Sequence, residues 1–128
     1  VAQHILIVDD EPSVRRIVQV NLERAGYRVS MASHGVEALE KVQADRPDLV
    51  LLDVVMPHMD GFETLRRLKA DPQTAAIPVV MASAQFKDGH TFESQRMGAE
   101  LYLNKPFSPM ELLQMVKEAL SRGEEAKG

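Results

Sequence analysis

The chain contains no cysteine, which excludes disulfides, thiolate metal centres and cysteine nucleophiles together. Its apolar runs are only a handful of residues long, far short of the roughly 18 to 20 that a membrane helix requires. The opening VAQHILIVDDE lacks the basic flank and cleavage pattern of a secretory signal. The expected location is the cytoplasm, with no membrane partner. Basic residues are scattered, and fifteen of them stand against nineteen acidic ones for a net charge of −4. Direct contact of this domain with nucleic acid is therefore not expected. Internal repeats, low-complexity tracts, a G-x-G-x-x-G fingerprint and a P-loop are also missing.

What is present is ordered. A chain of 128 residues suits one domain with a substantial core. Five strand-length apolar runs occur: HILIV, YRVSM, DLVLL, IPVVMAS and ELYLN. The third and fourth are apolar almost throughout, as in parallel strands covered on both faces. Helical spacing lies between them. Val14, Ile17, Val18, Leu22 and Ala25 follow Pro12 and stop at Gly26; Ala38, Leu39 and Val42 precede Pro47. A third segment carries Phe62, Leu65 and Leu68, with Asp60 and Glu63 spaced as a capping box, and a weaker segment lies near residues 87–97. The last helix is the best marked. Ser108 can cap it, Pro109 can take its first position, and Glu111 can reach back, before Leu112, Leu113, Val116, Ala119 and Leu120. Strand and helix alternating five times imply an open parallel sheet with right-handed crossovers, the α/β class; a small α+β domain is the alternative. The expected domain spans residues 1–122, and the charged stretch 123–128 reads as a flexible tail or the start of a linker.

In open α/β sheets the ligand site lies beyond the carboxyl ends of the strands. Those ends carry Asp9 and Asp10, Asp53, Ser83 and Lys105, whereas the second strand ends in Ser30 and Met31. If that strand lies at the sheet edge, the other four ends converge on one pocket. Two carboxylates about 4 Å apart repel by roughly 4 kcal/mol at an effective dielectric near 20, so three require a cation. Carboxylate oxygens are hard ligands and suit Mg²⁺, with Mn²⁺ as a second candidate, better than zinc. With Lys105 and a hydroxyl nearby, such a site fits a phosphoryl group, and a carboxylate can serve as its nucleophile. Taken singly, Asp9 or Asp10 would read as a helix N-cap, Ser83 as a turn residue and Tyr102 as a half-buried strand aromatic. His4, His34, His58 and His90 show no ligand-like pairing, and no chemistry is assigned to them.

The segments ILIVDDE, LVLLDVVMPHMDG, VVMASAQ and GAELYLNKPFSPMEL resemble, in order and across nearly the whole chain, the motifs of the response-regulator receiver domain of two-component signalling. The resemblance implies a flavodoxin-like sheet of order 2-1-3-4-5 with five flanking helices. It implies that Asp53 accepts a phosphoryl group from a sensor histidine kinase or a histidine phosphotransfer protein. Asp9, Asp10, Asp53 and the backbone carbonyl of Val55 would bind Mg²⁺, and Lys105 would contact the phosphoryl oxygens. Ser83 and Tyr102 would form the switch, and the Lys105–Pro106 bond would be cis. Such a domain catalyses its own phosphorylation and dephosphorylation and is not a turnover enzyme.

Receivers commonly signal to an output domain or protein through the face of the fourth helix, fifth strand and fifth helix. One large group forms a salt-bridged homodimer there. Leu101 and Met115 stand at two positions that are usually charged in that group, so a partner or second copy on this face is expected to be held by apolar contact. Val55 cannot orient water, and with Gln85 it occupies a position that influences hydrolysis; a persistent phosphoryl state is expected. Glu11 is expected to support the helix that follows it. Two rivals fit less well. A Mg²⁺-dependent aspartyl-phosphate hydrolase would carry Asp-x-Asp on one strand end, and a flavin module would need a Ser/Thr/Gly-rich loop where the three acids stand.

Overall fold

Alternation along the strands decides how the layers form. The computed structural model describes residues 2–56, 59–84 and 98–127, without the side chains of 124–127. Five strands, β1 (His4–Val8), β2 (Arg28–Ala32), β3 (Leu49–Asp53), β4 (Val79–Ser83) and β5 (Leu101–Asn104), pair in parallel in the order β2-β1-β3-β4-β5. Successive side chains point to opposite faces. Leu6, Val8, Val50, Leu52, Val79 and Met81 pack on one face with Ala38, Val42, Leu65 and Leu68. Ile5, Ile7, Leu49, Leu51, Val80 and Ala82 pack on the other with Val18, Leu22, Leu112, Val116 and Ala119. The helices α2 (Gly35–Ala44) and α3 (Gly61–Ala70) therefore cover one face, and α1 (Pro12–Arg24) and α4 (Pro109–Lys127) the other. The sheet expected from the sequence is the sheet observed. Four helices occur among the described residues; the weak segment near 87–97 lies outside them, so α4 is the fifth helix of the sequence reading.

The helix ends show where local chemistry was read well. At α4 the capping box closes both ways, with Glu111 N donating to Ser108 Oγ and Ser108 N to Glu111 Oε1, each at 3.1 Å. At α3 only one arm forms. Asp60 Oδ1 accepts from Glu63 N at 2.9 Å, while the Glu63 carboxylate is held by Arg66 and Arg67 and its pKa falls to about 2. His34, assigned no role from sequence, is the N-cap of α2, its Nδ1 accepting from Glu37 N at 3.2 Å. His4 is buried in β1 with Nε2 2.6 Å from Ser30 Oγ.

Glu11 stands at the N-cap position of α1 with no side-chain cap bond, and its backbone N–H donates to Asp9 Oδ1. Two expectations are corrected. Ile17 does not join the buried stripe of α1 and is 60% exposed, because the strip facing the sheet is filled by Val18 and Leu22. The last helix runs beyond residue 122 to Lys127, past the expected start of the tail. Gly123 does not end it; a Cβ there would lie 2.9 Å from Pro78 Cγ, so this glycine allows close approach of α4 to the start of β4. Among the described residues, no helix is long and apolar enough to cross a membrane.

Candidate functional site

Parallel pairing continues just past the strand ends and aligns them. Asp9 N bonds Ala32 O, Val54 N bonds Ala82 O and Lys105 N bonds Ser83 O, at 3.0–3.1 Å. The ends of β1, β3, β4 and β5 thus reach one level, and β2, at the edge, contributes only a backbone carbonyl. Asp9 and Asp53 are buried and Asp10 is exposed. One carboxylate oxygen from each lies within 4.8 Å of the others.

Lys105 bridges the two buried acids. Its Nζ lies 2.7 Å from Asp9 Oδ2 and 3.3 Å from Asp53 Oδ1, and the Lys105–Pro106 peptide is cis, as the resemblance implied. Asp9 Oδ1 accepts from Glu11 N at 2.9 Å, and its backbone carbonyl accepts from Arg15 Nη1 at 2.6 Å. Asp53 Oδ1 has a longer contact of 3.4 Å with Val55 N. Val55 is 57% exposed. Behind Asp53 the chain leaves no room: Gly61 N bonds Val54 O at 2.8 Å, and a Cβ on Gly61 would lie 2.2 Å from Asp53 O. Only glycine lets α3 start so close to the strand end.

The electrostatics follow from this crowding. Burial pushes the Asp53 pKa up to about 6; the Lys105 charge opposes the shift and the neighbouring Asp9 adds to it. For Lys105, burial works against the charged form, but the bond to Asp9 and the charges of Asp53 and Asp9 outweigh it and its pKa rises. One ammonium group faces three carboxylates, leaving an excess of negative charge. Three hard oxygen donors, one of them on the exposed Asp10, fit a divalent ion that keeps some of its water.

Ser83 is buried at the end of β4. Tyr102 is half-buried and packs on the cluster that contains Met81; burial, with Glu100 adding, raises its pKa. Met81 pairs with Tyr102 and Ser83 with Asn104, which puts Ser83 and Tyr102 on the same face one register step apart. The structure thus brings Asp9, Asp10, Asp53, Ser83 and Lys105 to one end of the sheet, with Tyr102 one step behind. Sequence reasoning missed Arg15. Its position six residues after Asp9, on the first turn of α1, was the available signal.

A protein-family model described as the response regulator receiver domain matches residues 5–117. The alkaline phosphatase synthesis transcriptional regulatory protein PhoP of Bacillus subtilis is 43% identical over 120 residues, covering 94% of this chain and 49% of that protein. The chain spans about half the length of the curated relatives it matches. Among solved structures, the chemotaxis protein CheY4 of Vibrio cholerae superposes with a TM-score of 0.89 at 35% identity, covering 93% of this chain and 99% of that one. The receiver domain of a sensor histidine kinase from Pseudomonas aeruginosa, solved with a magnesium ion coordinated in its active-site cleft, has a TM-score of 0.87 at 27% identity, covering 94% and 99%. Sheet order, acid cluster and family match agree over the same residues, and the chain belongs to the response regulator receiver domain family.

Proposed function

We propose that this domain is a phosphorylation-controlled switch in which Asp53 accepts a phosphoryl group from a phosphohistidine on a sensor histidine kinase or histidine phosphotransfer protein. The observation that carries this reading is the convergence at the sheet's carboxyl end of carboxylate oxygens from Asp9, Asp10 and Asp53 within 4.8 Å of one another, with Lys105 Nζ 2.7 Å from Asp9 and 3.3 Å from Asp53. An Asp53 carboxylate oxygen attacks phosphorus, an acyl–phosphate bond forms, the N–P bond breaks, and the imidazole leaves with its electron pair. Asp9, Asp10 and Asp53, with the carbonyl of Val55, would hold Mg²⁺ or Mn²⁺. When bound, the ion supplies charge neutralisation for the phosphoryl oxygens. A magnesium ion in the cleft of the Pseudomonas receiver domain supports this assignment.

Lys105 donates to a phosphoryl oxygen once it releases Asp9, and the Ser83 hydroxyl turns toward the same group. Tyr102 then moves into the space vacated on that face. The donor protein has a surface to dock on. A groove of about 410 Å³, lined by Val14, Ile17, Val18, Pro106 and Phe107, opens beside Lys105. Output passes through β5 and α4 to a downstream domain or protein. Leu101 and Met115 are half-buried there, so that contact, or a homodimer using it, is apolar and persists at high salt. Val55, unable to orient water, favours a long-lived phosphoryl state.

The alternative, a Mg²⁺-dependent aspartyl-phosphate hydrolase, is disfavoured because the adjacent acid pair and Asp53 lie on different strands. Incubation with Mg²⁺ and a small acyl phosphate should give a single phosphoryl adduct by intact mass. An Asp53→Ala variant that gains the adduct at the wild-type rate refutes the assignment.

A further inference from the structure

Asp10 is the exposed member of the acid cluster, and among the described residues its side chain has no hydrogen-bond partner. The position from which it reaches the cluster is therefore set by its backbone. The peptide joining Asp9 to Asp10 is held by one side chain, because Arg15 Nη1 donates to the Asp9 carbonyl at 2.6 Å. A hydrogen bond from an ionised donor is roughly twice as strong as a neutral one. Arg15 is half-buried in the first turn of α1, and its amide bonds Glu11 O at 3.1 Å. Both its main chain and its side chain thus close the connection from β1 to α1. The other restraints on this loop act elsewhere: Asp9 N on Ala32 O, Glu11 N on Asp9 Oδ1 and Lys105 on Asp9 Oδ2.

We propose that Arg15 is a positioning residue for the divalent-ion site, aiming the Asp10 carboxylate at the ion by clamping the Asp9–Asp10 peptide. This rests on reading Asp9, Asp10 and Asp53 as ion ligands. The guanidinium charge alone would disfavour a nearby cation, so its loss would tighten binding; loss of the clamp would weaken it. The two effects have opposite signs, and the clamp dominates because among the described residues no other side chain holds the Asp9–Asp10 peptide, the Glu11 N–H on Asp9 Oδ1 restraining only the peptide on the far side of Asp10.

The test titrates Mn²⁺ into the full chain, reads free ion by electron paramagnetic resonance, and follows thermal unfolding without the ion. Arg15→Met keeps the apolar stem and removes the donor. Arg16→Ala removes the same charge from the neighbouring, exposed position. The expected result is a Mn²⁺ Kd raised about tenfold by Arg15→Met, with Arg16→Ala binding as the wild type does and ion-free Arg15→Met still fully folded at the titration temperature, its Tm lowered only by loss of the bond. Binding by Arg15→Met that matches or exceeds Arg16→Ala overturns the proposal. So does an affinity loss that appears only where ion-free Arg15→Met is partly unfolded at the titration temperature, which would mark a role in the fold only. If Arg15→Met does not fold, Arg15→Gln takes its place, and failure of both to fold also overturns it. A wild type that binds no Mn²⁺ overturns the ion-site reading and this inference with it; normal wild-type binding with an unaffected Arg15→Met overturns the inference alone.

Discussion

The ammonium nitrogen of Lys105 lies 2.7 Å from Asp9 Oδ2, joining residues 96 positions apart. In the ion-free protein this bond offsets part of the repulsion among the acids, and the proposed phosphoryl transfer would require the same group on a phosphoryl oxygen. Lys105→Met should slow phosphorylation by a small acyl phosphate about a hundredfold. Mn²⁺ affinity should not weaken, because the lysine and the ion neutralise the same carboxylates. A mass-spectrometric time course with Mn²⁺ titration checks both; an unchanged rate would exclude Lys105 from the transfer.

Asp53, with its pKa raised by burial to about 6 from 3.8, makes ion-free stability depend on pH. Between those values the folded state binds more protons than the unfolded state, so stability falls as pH rises through this window. The contribution is full below about 4 and gone above about 6. Asp53→Asn should therefore stabilise the ion-free protein at pH 7.5 by about 1–3 kcal/mol, converting the shift at 1.36 kcal/mol per unit. The gain should vanish near pH 3.5. Urea unfolding at several pH values with chelator present measures it, and a destabilised Asp53→Asn at pH 7.5 would contradict the account.

Gly61 is required by space. A Cβ there would meet the Asp53 carbonyl at 2.2 Å and Val54 Cα at 2.7 Å, both backbone atoms that cannot turn aside. Gly61→Ala should cost roughly 2–4 kcal/mol. Gly26 has φ +98° but nothing within 4 Å of an added Cβ, so Gly26→Ala should cost only the conformational strain of about 1 kcal/mol. Equal urea midpoints for the two variants would show that the close approach is not real.

Ile17 is 60% exposed at the rim of the groove beside Lys105, where a donor protein can bury it and a small donor cannot. Ile17→Asp should slow transfer from a phosphohistidine protein at least about tenfold, since burying an unpaired carboxylate is costly. Phosphorylation by a small acyl phosphate should be unaffected. Equal slowing of both reactions would move Ile17 from docking to folding.

Much of this was legible in the chain because the relevant physics is local. Short continuous apolar runs named the strands, HILIV to the residue, and Ser108, Pro109 and Glu111 marked a helix start through bonds spanning three residues. The acids at strand ends announced a site because a parallel sheet brings those ends together. Three things depended on tertiary packing. Which face of α1 is buried, and hence that Ile17 is exposed, depended on where the sheet lies. Gly123, placed from the sequence in the tail, lies within α4 and allows it to approach Pro78 across the fold. Arg15, given no role from the sequence, is turned by the fold onto the Asp9 carbonyl. Sequence determined the elements and the chemistry at their ends, because both depend on neighbours along the chain. Only the tertiary structure decided which side chains hold those ends in place, because that depends on neighbours in space.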